Sequence, residues 1–270
     1  MYVTQLDAQG WMKENLPNCG FAEQLFWLDE TESTNDDIKR MVYRGYKAPL
    51  AVFADAQSKG RGRRGRSFQS AAGKGLYFSL LLSPHCPVEE LCTLTAWTAA
   101  AVCTALRQAC GIDAKIKWPN DIVAEGKKLC GILTELLTGR DGAVEGVIIG
   151  IGLNVSQSAE DFGELSTKAV SLAQLMGAAP DRLELARHCL LALDKMHADF
   201  PQRRDIYLDS YRKSCLTVGR AVTLSSQAGE RRGTAEAVED DFTLRVRLED
   251  GRVERVSSGE VSVRGLYGYI

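Results

Sequence analysis

The sequence predicts an α+β fold: a mixed, mostly antiparallel sheet packed against helices, followed by a small β-barrel at the C-terminal end. Apolar runs of strand length recur between residues 25 and 153. Several of them are joined by connections too short for crossover helices, which favours antiparallel or mixed pairing. After about residue 217 these runs give way to alternating apolar and polar residues, which is typical of half-exposed strands. The 270 residues therefore divide into two predicted domains, residues 1–216 and 217–270.

The elements of the first half follow from local patterns. Ser33, Thr34 and Asn35 offer capping side chains to a helix that runs through Val42. Apolar side chains at helical spacing predict a long central helix, with Thr98 as the one polar member of its buried face. The predicted elements are a leading helix at residues 6–16, strands at 25–28, 50–54 and 75–82, and the central helix at 89–109.

The second half predicts more strands than helices. Strands are expected at residues 114–118, 128–136 and 143–153, loop mixed with helix at 161–179, and helices from Pro180 and over 203–213. The Asp250-Gly251 pair lies between two alternating runs and predicts a tight hairpin. The tail therefore predicts an all-β barrel of roughly five strands.

Composition excludes several classes of protein. A net charge of -2 provides no overall positive field to hold the chain on nucleic acid or an anionic membrane. The eight cysteines include no Cys-x-x-Cys pair and the three histidines no His-Glu-x-x-His spacing, so no structural zinc site is predicted. The sequence has no signal-peptide pattern and no apolar run of about 20 residues. We therefore expect a cytoplasmic protein that does not bind membranes.

A glycine–arginine loop at residues 59–66 follows the second strand. Glycines let backbone amides approach a ligand, and guanidinium groups offer forked donors to phosphate or carboxylate. Its Gly-x-Gly-x-x-Gly spacing also satisfies the dinucleotide-binding pattern, but residues 67–75 lack helical periodicity and no acid lies near 79–82. No ATPase-type phosphate loop and no Gly-x-Ser-x-Gly elbow occurs in the sequence. The loop is therefore predicted to bind an anion without those scaffolds, and a solvated basic loop is the alternative.

Three further motifs have both a functional and a plain structural interpretation. Residues 117–121, Lys-Trp-Pro-Asn-Asp, end a strand with a cation and two polar side chains, or form an ordinary turn. Lys128 stands at the mouth of an apolar strand, where lysines are usually solvated. Residues 150–154, Gly-Ile-Gly-Leu-Asn, place two glycines on one strand face, which leaves room for a flat ligand or marks a bulge.

In combination and order, these motifs resemble the biotin-protein ligases over nearly the whole chain. The resemblance rests on residues 32–35, Gln57 with 60–66, 117–121, Lys128 with 131–133, 150–154, and the end of the β-rich tail at 258–262. The resemblance implies a class II synthetase-like catalytic domain followed by an SH3-like barrel. It also implies the short form without an N-terminal DNA-binding domain, since about 20 residues precede the first strand. Nucleic-acid binding is therefore not expected.

The resemblance implies a two-step reaction that uses ATP, biotin and Mg²⁺. Biotin is activated to biotinyl-5′-adenylate, and the biotinyl group then passes to a lysine of a partner. That partner is expected to be the biotin carboxyl carrier domain of acetyl-CoA carboxylase or of another carboxylase. The protein itself is expected to be a monomer or a homodimer.

Residue roles are carried over by position in the motifs. The catalytic residues are expected to be Lys128, Arg61 and Arg63, with Asp121 as a candidate metal ligand. Biotin is expected to contact Ser33, Thr34, Asn35, Gln57, Gly60, Arg61, Arg63, Lys128, Gly131 and Gly150. The nucleotide is expected to contact Arg61, Arg63, Arg66, Phe68, Lys117, Asn120 and Asn154. The glycine–arginine loop is expected to become ordered when ligand binds.

Two departures and two alternatives accompany this interpretation. Phe68 stands where the family usually has tryptophan, and residues 156–170, expected to cover adenine, contain Phe162 but no tryptophan. The first alternative is a nucleic-acid-binding protein that uses residues 61–66 as a phosphate clamp, against which the net charge of -2 counts. The second is a lipoate ligase or transferase, which binding measurements with biotin and lipoate would distinguish.

Overall fold

The computed structural model describes residues 5–139, 141–226, 229–257 and 262–265. Its helices are α1 (Gln5–Glu14), α2 (Thr34–Tyr43), α3 (Val88–Leu91), α4 (Leu94–Cys110), α5 (Ala159–Phe162), α6 (Leu172–Met176), α7 (Arg182–Asp199) and α8 (Arg204–Ser214). Its strands are β1 (Leu25–Thr31), β2 (Leu50–Gln57), β3 (Gly75–Leu82), β4 (Lys115–Lys117), β5 (Asp121–Ala124), β6 (Lys127–Thr138), β7 (Val144–Asn154), β8 (Ala221–Ser226), β9 (Gly229–Val238), β10 (Leu244–Leu248), β11 (Val253–Val256) and β12 (Ser262–Gly265). None of the helices in these ranges is long and apolar enough to cross a membrane.

The seven strands β1 to β7 form one sheet in the order β1-β2-β3-β7-β6-β5-β4. Only β1 and β2 run parallel, which suits the helix α2 that connects them, and the other neighbours are antiparallel. The predicted mixed, mostly antiparallel sheet is confirmed. Strand β5 was not predicted, because it is only four residues long and begins with the polar Asp121 of the turn.

The two faces of this sheet bury different sets of side chains. Phe53, Leu80 and Ile149 join the main core, whereas their strand neighbours Val52 and Ile148 pack with α2 in a smaller cluster. Successive strand residues point to opposite faces, so each strand serves both clusters. The face that carries the smaller cluster also presents Gly150 and Gly152, and beside the start of α2 it holds the site described below.

Helix α4 lies at the centre of the main core and packs against α7, α8 and β6. It is buried on most of its circumference, and the hydroxyl of Thr98 donates to the Leu94 carbonyl at 2.7 Å, so its polar group is satisfied in the core. The prediction of a single helix at residues 89–109 is wrong at its start, because the structure has two helices there, α3 and α4. The side chain and amide of Thr93 both bond the Glu90 carbonyl, which tightens the chain into a turn between α3 and α4.

The strands β8 to β12 form a second, antiparallel sheet in the order β11-β10-β9-β8-β12. The hairpin predicted at Asp250-Gly251 joins β10 to β11, and Gly251 has a φ of 87°, which glycine adopts without strain. The SH3-like label for this unit and the boundary between residues 216 and 217 stay predictions.

Candidate functional site

Two neighbouring clefts open on the α2 side of the large sheet. The inner cleft encloses about 490 Å³ of empty space, part of it continuous with solvent, and the outer cleft about 1220 Å³. The inner cleft is lined by Ser33, Thr34, Asn35, Gln57, Arg61, Gly62, Arg63, Phe68, Asn120, Lys128, Gly131, Ile132, Leu133, Gly150, Ile151 and Gly152. The outer cleft is lined by Gly62, Arg63, Arg64, Arg66, Ser67, Phe68, Gln69, Lys117, Trp118, Pro119, Asn120, Asp121, Lys128, Asn154, Phe162, Leu165 and Ala169.

Five residues line both clefts and form the junction between them: Gly62, Arg63, Phe68, Asn120 and Lys128. Two of these, Arg63 and Lys128, are cations. A ligand in one cleft and a ligand in the other would therefore meet between a guanidinium and an ammonium group. Such an arrangement suits a reaction that brings two anionic groups together.

The deep end of the inner cleft is polar. The Thr34 amide donates to Gln57 Oε1 at 2.9 Å, and Gln57 Nε2 donates to Ser70 Oγ at 2.9 Å. Ser33 occupies the N-cap position of α2, but its hydroxyl does not cap the helix. Because the start of α2 and the end of β2 lie side by side, hydroxyl and amide groups converge on one spot, where they suit a small ligand with several polar atoms.

Three glycines of β6 and β7 form the wall of the inner cleft. Gly131 lies opposite Gly152 in the register of these strands, and Gly150 lies one pair further along the same face. A Cβ at Gly131 would stand 3.0 Å from Lys128 Nζ, and one at Gly152 would stand 2.5 Å from the Phe68 ring. The glycines are therefore required because side chains of the site approach this backbone closely.

Replacing Gly150 by alanine is expected to weaken binding of the inner-cleft ligand by about tenfold and to destabilise the fold by about 1–3 kcal/mol. The new Cβ would overlap Asn35 Oδ1, which accepts a bond from Ser79 Oγ at 2.5 Å, and the buried Asn35 is also held by its bond to Glu135. Calorimetric binding and thermal unfolding measure the two effects. Gly10→Ala in α1 is the control, because its Cβ would meet nothing within 4 Å. Equal behaviour of the two variants would contradict this account of the wall.

The glycine–arginine loop is folded back on itself. Gly62 donates its amide to the Arg66 carbonyl at 2.7 Å, and Phe68 donates to the Gly60 carbonyl at 2.8 Å. Arg64 lies at a φ of 57° within a short 3₁₀ turn. The chain continues into β3 and not into a helix, as expected from the argument against dinucleotide binding. The dependence of this loop's order on ligand stays a prediction.

Each cation at the junction has a polar partner. Lys128 Nζ lies 2.6 Å from Asp121 Oδ1, and the two side chains are 27% and 18% exposed. Arg63 donates to Asn120 Oδ1 at 3.1 Å, and burial lowers the pKa of its guanidinium below the usual value. The turn at residues 117–121 thus fixes both cations, and its interpretation as an ordinary turn is insufficient.

Arg61 lines the inner cleft but not the outer one. Its guanidinium forms an ion pair with Asp36 of α2 and lies 3.7 Å from Glu135 Oε2 of β6. The placement agrees with the expected role towards the inner ligand. It gives no support to the expected nucleotide contact, because the carboxylates on α2 and β6 draw the side chain away from the outer cleft.

The outer cleft collects most residues expected to contact a nucleotide. Arg66, Lys117 and Asn154 all line it, and Phe162 and Leu165 supply apolar surface. Asn154 Nδ2 donates to the carbonyls of Lys128 and Val170 at 3.3 and 3.1 Å. Those bonds hold the segment at 165–170 beside β6, so Asn154 positions the wall of the cleft. The segment expected to cover a base does border this cleft, through Phe162 and Leu165 in place of a tryptophan.

All expected site residues except Gly60 line one or both clefts. A Cβ at Gly60 would stand 2.8 Å from Ser70 Oγ, so this glycine supports the fold of the loop and not the cleft surface. Two polar residues beside the inner cleft, Ser79 and Glu135, were not predicted, whereas Gly152 belongs to the predicted 150–154 motif and lines that cleft. The signal for Ser79 was a serine inside an otherwise apolar strand, and the signal for Glu135 was a carboxylate in the middle of β6.

The side chains of the outer cleft are suited to a metal ion that is also bound by the phosphate groups of a ligand. Within the ranges that the structure describes, no cluster of three or more His, Cys, Asp or Glu side chains could hold a metal ion. Asp121 is the carboxylate that lines the outer cleft, and its Oδ1 is buried against Lys128. One carboxylate combined with substrate phosphates is the usual way that proteins bind Mg²⁺, so these residues fit that ion.

Several proteins resemble the chain over most of its length. The Bifunctional ligase/repressor BirA of Bacillus spizizenii is 35% identical over 246 residues, which cover 89% of this chain and 74% of that protein. The Biotin--[acetyl-CoA-carboxylase] ligase of Mycobacterium tuberculosis is 31% identical and covers 88% of each chain. The solved biotin protein ligase from Aquifex aeolicus in complex with biotin and ATP matches with a TM-score of 0.77 at 30% identity, covering 90% of this chain and 99% of that one.

Two family models match the chain. Residues 27–154 match the Biotin/lipoate A/B protein ligase family, and residues 217–264 match the Biotin protein ligase C terminal domain. The fold and the paired clefts accordingly define a protein ligase of the biotin and lipoate class. Within that class, the chain belongs to the biotin protein ligase family. These findings favour biotin over lipoate as the carboxylated substrate.

Proposed function

We propose that the chain joins biotin to ATP at the junction of the two clefts and then transfers biotin to a lysine of a carrier domain. The observation that carries this proposal is that Arg63 and Lys128 line both clefts at once. The carboxylate of biotin and the phosphates of ATP repel each other in water. Fixed cations between the two binding clefts would offset that repulsion during the reaction.

The inner cleft is the proposed biotin site. Ser33, Thr34 and Gln57 would bond the ureido ring at the deep polar end, and the wall of Gly131 and Gly150 would face the bicycle. Phe68 lies beside Gly152 and would cover the apolar part of the ligand. The valeryl chain would then extend towards the junction. Asn35 and Arg61 would support this cleft from the side of α2.

The outer cleft is the proposed nucleotide site. Arg66 and Lys117 would contact phosphate oxygens, and Phe162 with Leu165 would give the adenine an apolar surface. Asn120 and Asn154 would act mainly as positioning residues, because both ends of each side-chain amide are already bonded within the protein. This cleft is the larger of the two, about 1220 Å³ including space open to solvent, and leaves room for a nucleoside triphosphate.

In the first step, a biotin carboxylate oxygen bonds the α-phosphorus of ATP and pyrophosphate leaves. Lys128 and Arg63 would stabilise the negative charge that develops around the reacting oxygens. Asp121 would hold Mg²⁺ together with phosphate oxygens, and the bound ion would neutralise part of the phosphate charge. In the second step, the neutral amine of the acceptor lysine bonds the biotinyl carbonyl carbon, AMP leaves, and the amine loses a proton.

The acceptor is proposed to be a biotin carboxyl carrier domain. Relatives named Biotin--[acetyl-CoA-carboxylase] ligase support this choice. Residues 1–216 are proposed as the catalytic domain, and residues 217–270 as a second domain. In support of a shared role, Trp118 of the outer cleft donates its indole N–H to the Phe242 carbonyl at 3.0 Å, and its backbone amide donates to Thr217 Oγ1 at 2.9 Å.

Transfer to an isolated carrier domain tests the proposal. The purified chain is incubated with ATP, Mg²⁺, labelled biotin and a carboxylase carrier domain, and pyrophosphate and carrier label are measured together. We expect one pyrophosphate per biotin attached and no label on a carrier whose acceptor lysine is replaced by arginine. Absence of both products with the folded chain would contradict the proposal.

A further inference from the structure

A continuous row of hydrogen-bonding groups runs beneath the inner cleft from β6 to the glycine–arginine loop. Neighbouring members lie between 2.5 and 3.3 Å apart along its whole length. In order, the row contains the side chains of Glu135, Asn35, Ser79, Thr34, Gln57 and Ser70, and ends at the Phe68 carbonyl. The direction in which each hydroxyl points its proton follows from the two ends of the row.

Glu135 fixes the first end. Hydrogen bonds from Asn35 and Lys39 lower the pKa of its carboxyl group, although burial opposes them, so the side chain is ionised and can only accept. Its Oε2 lies 2.5 Å from Asn35 Nδ2, and its Oε1 lies 2.9 Å from Lys39 Nζ. Asn35 must therefore turn its amide nitrogen to Glu135 and its Oδ1 to Ser79, whose hydroxyl donates to it at 2.5 Å.

A backbone amide fixes the second end. The Thr34 N–H can only donate, and it lies 2.9 Å from Gln57 Oε1. Gln57 therefore turns its Nε2 to Ser70 Oγ at 2.9 Å, and Ser70 donates its own proton to the Phe68 carbonyl at 3.3 Å. Both carboxamides in the row have one possible orientation.

The hydroxyl of Thr34 lies between these two ends. Its Oγ1 is 2.6 Å from Ser79 Oγ and 3.2 Å from Gln57 Oε1. Because Ser79 has given its proton to Asn35, the short contact between the two hydroxyls requires the proton of Thr34. Two oxygens at 2.6 Å without a proton between them would repel each other. The Thr34 proton therefore points to Ser79 and not to Gln57 Oε1, the longer contact, and Thr34 Oγ1 keeps only lone pairs for the cleft that it lines.

We propose that Glu135 is a positioning residue for substrate recognition: it sets the direction of the row as far as Thr34, so that Thr34 Oγ1 is an acceptor reserved for an N–H donor of the ligand in the inner cleft. This inference rests on the proposed function, under which that donor is one of the two ureido N–H groups of biotin. Glu135 itself does not line the inner cleft and acts through Asn35, Ser79 and Thr34.

Glu135→Gln is expected to reverse the part of the row from Glu135 to Thr34, while the Thr34 amide keeps Gln57 and Ser70 in their present orientation. Lys39 requires an acceptor, so the new amide would turn its oxygen to Lys39 and its nitrogen to Asn35. Asn35 would then offer Oδ1 to that nitrogen and donate to Ser79, and Ser79 would donate to Thr34. The proton of Thr34 would be released towards Gln57 or the cleft, and the preference for an N–H donor would weaken.

Calorimetry tests whether Thr34 Oγ1 is reserved for an N–H donor. The ligands are biotin and two cyclic carbamate analogues, in each of which one ureido N–H is replaced by oxygen. In the wild type, one analogue is expected to bind at least about tenfold more weakly, the usual cost of leaving a buried acceptor unpaired. In Glu135→Gln, biotin itself is expected to bind more weakly and the analogue penalty to fall to about threefold or less. Lys39→Gln is the control: it leaves the Glu135 carboxylate in place, so the analogue is expected to bind as weakly relative to biotin as in the wild type.

Ser79→Ala tests the proposal independently, because it removes the acceptor for the Thr34 proton. It is also expected to abolish the loss of affinity that the analogue shows relative to biotin. Retention of the full penalty in whichever of the two variants is folded would overturn the proposal. So would a wild type that binds both analogues as tightly as biotin. A folded wild type that binds no biotin would instead contradict the proposed function, so the two failures are distinguishable.

Discussion

Replacing Lys128 by alanine is expected to reduce the rate of biotinyl-adenylate formation by about 10²–10³-fold, as expected for the loss of a positioned charge in the transition state. Lys128 lines both clefts, and its ammonium group is the cation that β6 presents at their junction. The effect should fall on kcat more than on the affinity for biotin, because the charge that Lys128 stabilises develops only as the bond to phosphorus forms. Pyrophosphate release measures the rate.

Lys127→Ala is the matched control for this variant. Lys127 is the preceding residue of β6, and its Nζ donates to the Ser166 carbonyl at 3.2 Å, outside both sets of cleft-lining residues. Its loss is expected to change the rate by no more than about twofold, because the half-buried side chain lines neither cleft. Circular dichroism must show that both variants are folded. A folded Lys128→Ala variant with normal turnover would remove the proposed role of that lysine.

Replacing Arg63 by alanine is expected to have the second large effect, lowering adenylate formation by about 10²-fold and increasing escape of the adenylate into solution. The half-buried guanidinium stands between the clefts and is oriented by Asn120. It would hold the charged intermediate at the junction until the carrier lysine arrives. Chromatography of the filtrate measures free biotinyl-adenylate, and gel labelling measures transfer to the carrier.

Two comparisons give this prediction its specificity. Arg63→Lys keeps the charge but loses the forked donor, and it should recover only part of the rate. Lys59→Ala removes a cation from the start of the same loop, where Lys59 is 70% exposed and paired with Glu32, and it should leave both readouts unchanged. Equal adenylate escape from Arg63→Ala and the wild type would show that Arg63 does not retain the intermediate.

The large sheet could be predicted because its strands are continuous apolar runs with clear ends. Strand β3 was predicted with its observed limits, since all eight of its residues are buried and its start is marked by glycine. Strand β5 was not predicted, because it is only four residues long and begins with a polar turn residue, and no local pattern encodes the register shift in its pairing with β6. The break between α3 and α4 depends on one side-chain bond of Thr93, which the helical spacing of its neighbours conceals.

The motifs predicted which residues line the two clefts, and the roles of those residues stay predictions. Lys128, Gly131 and Gly150 belong to adjacent strands, so their motifs had to meet once the sheet formed. Glu135 could not be found in this way, because its bond to Asn35 joins positions 100 residues apart in the sequence. The place of Arg61 was also beyond local pattern, since it depends on the charge of Asp36 across the cleft.

Isotope exchange between pyrophosphate and ATP tests most directly the claim that a carboxylate and a triphosphate react at the junction of the two clefts. It reports the first step alone, without a carrier domain. We predict saturable exchange that requires biotin, is not supported by lipoate, and is lost in Lys128→Ala. A folded chain that shows no exchange with biotin, or equal exchange with lipoate, would contradict the account.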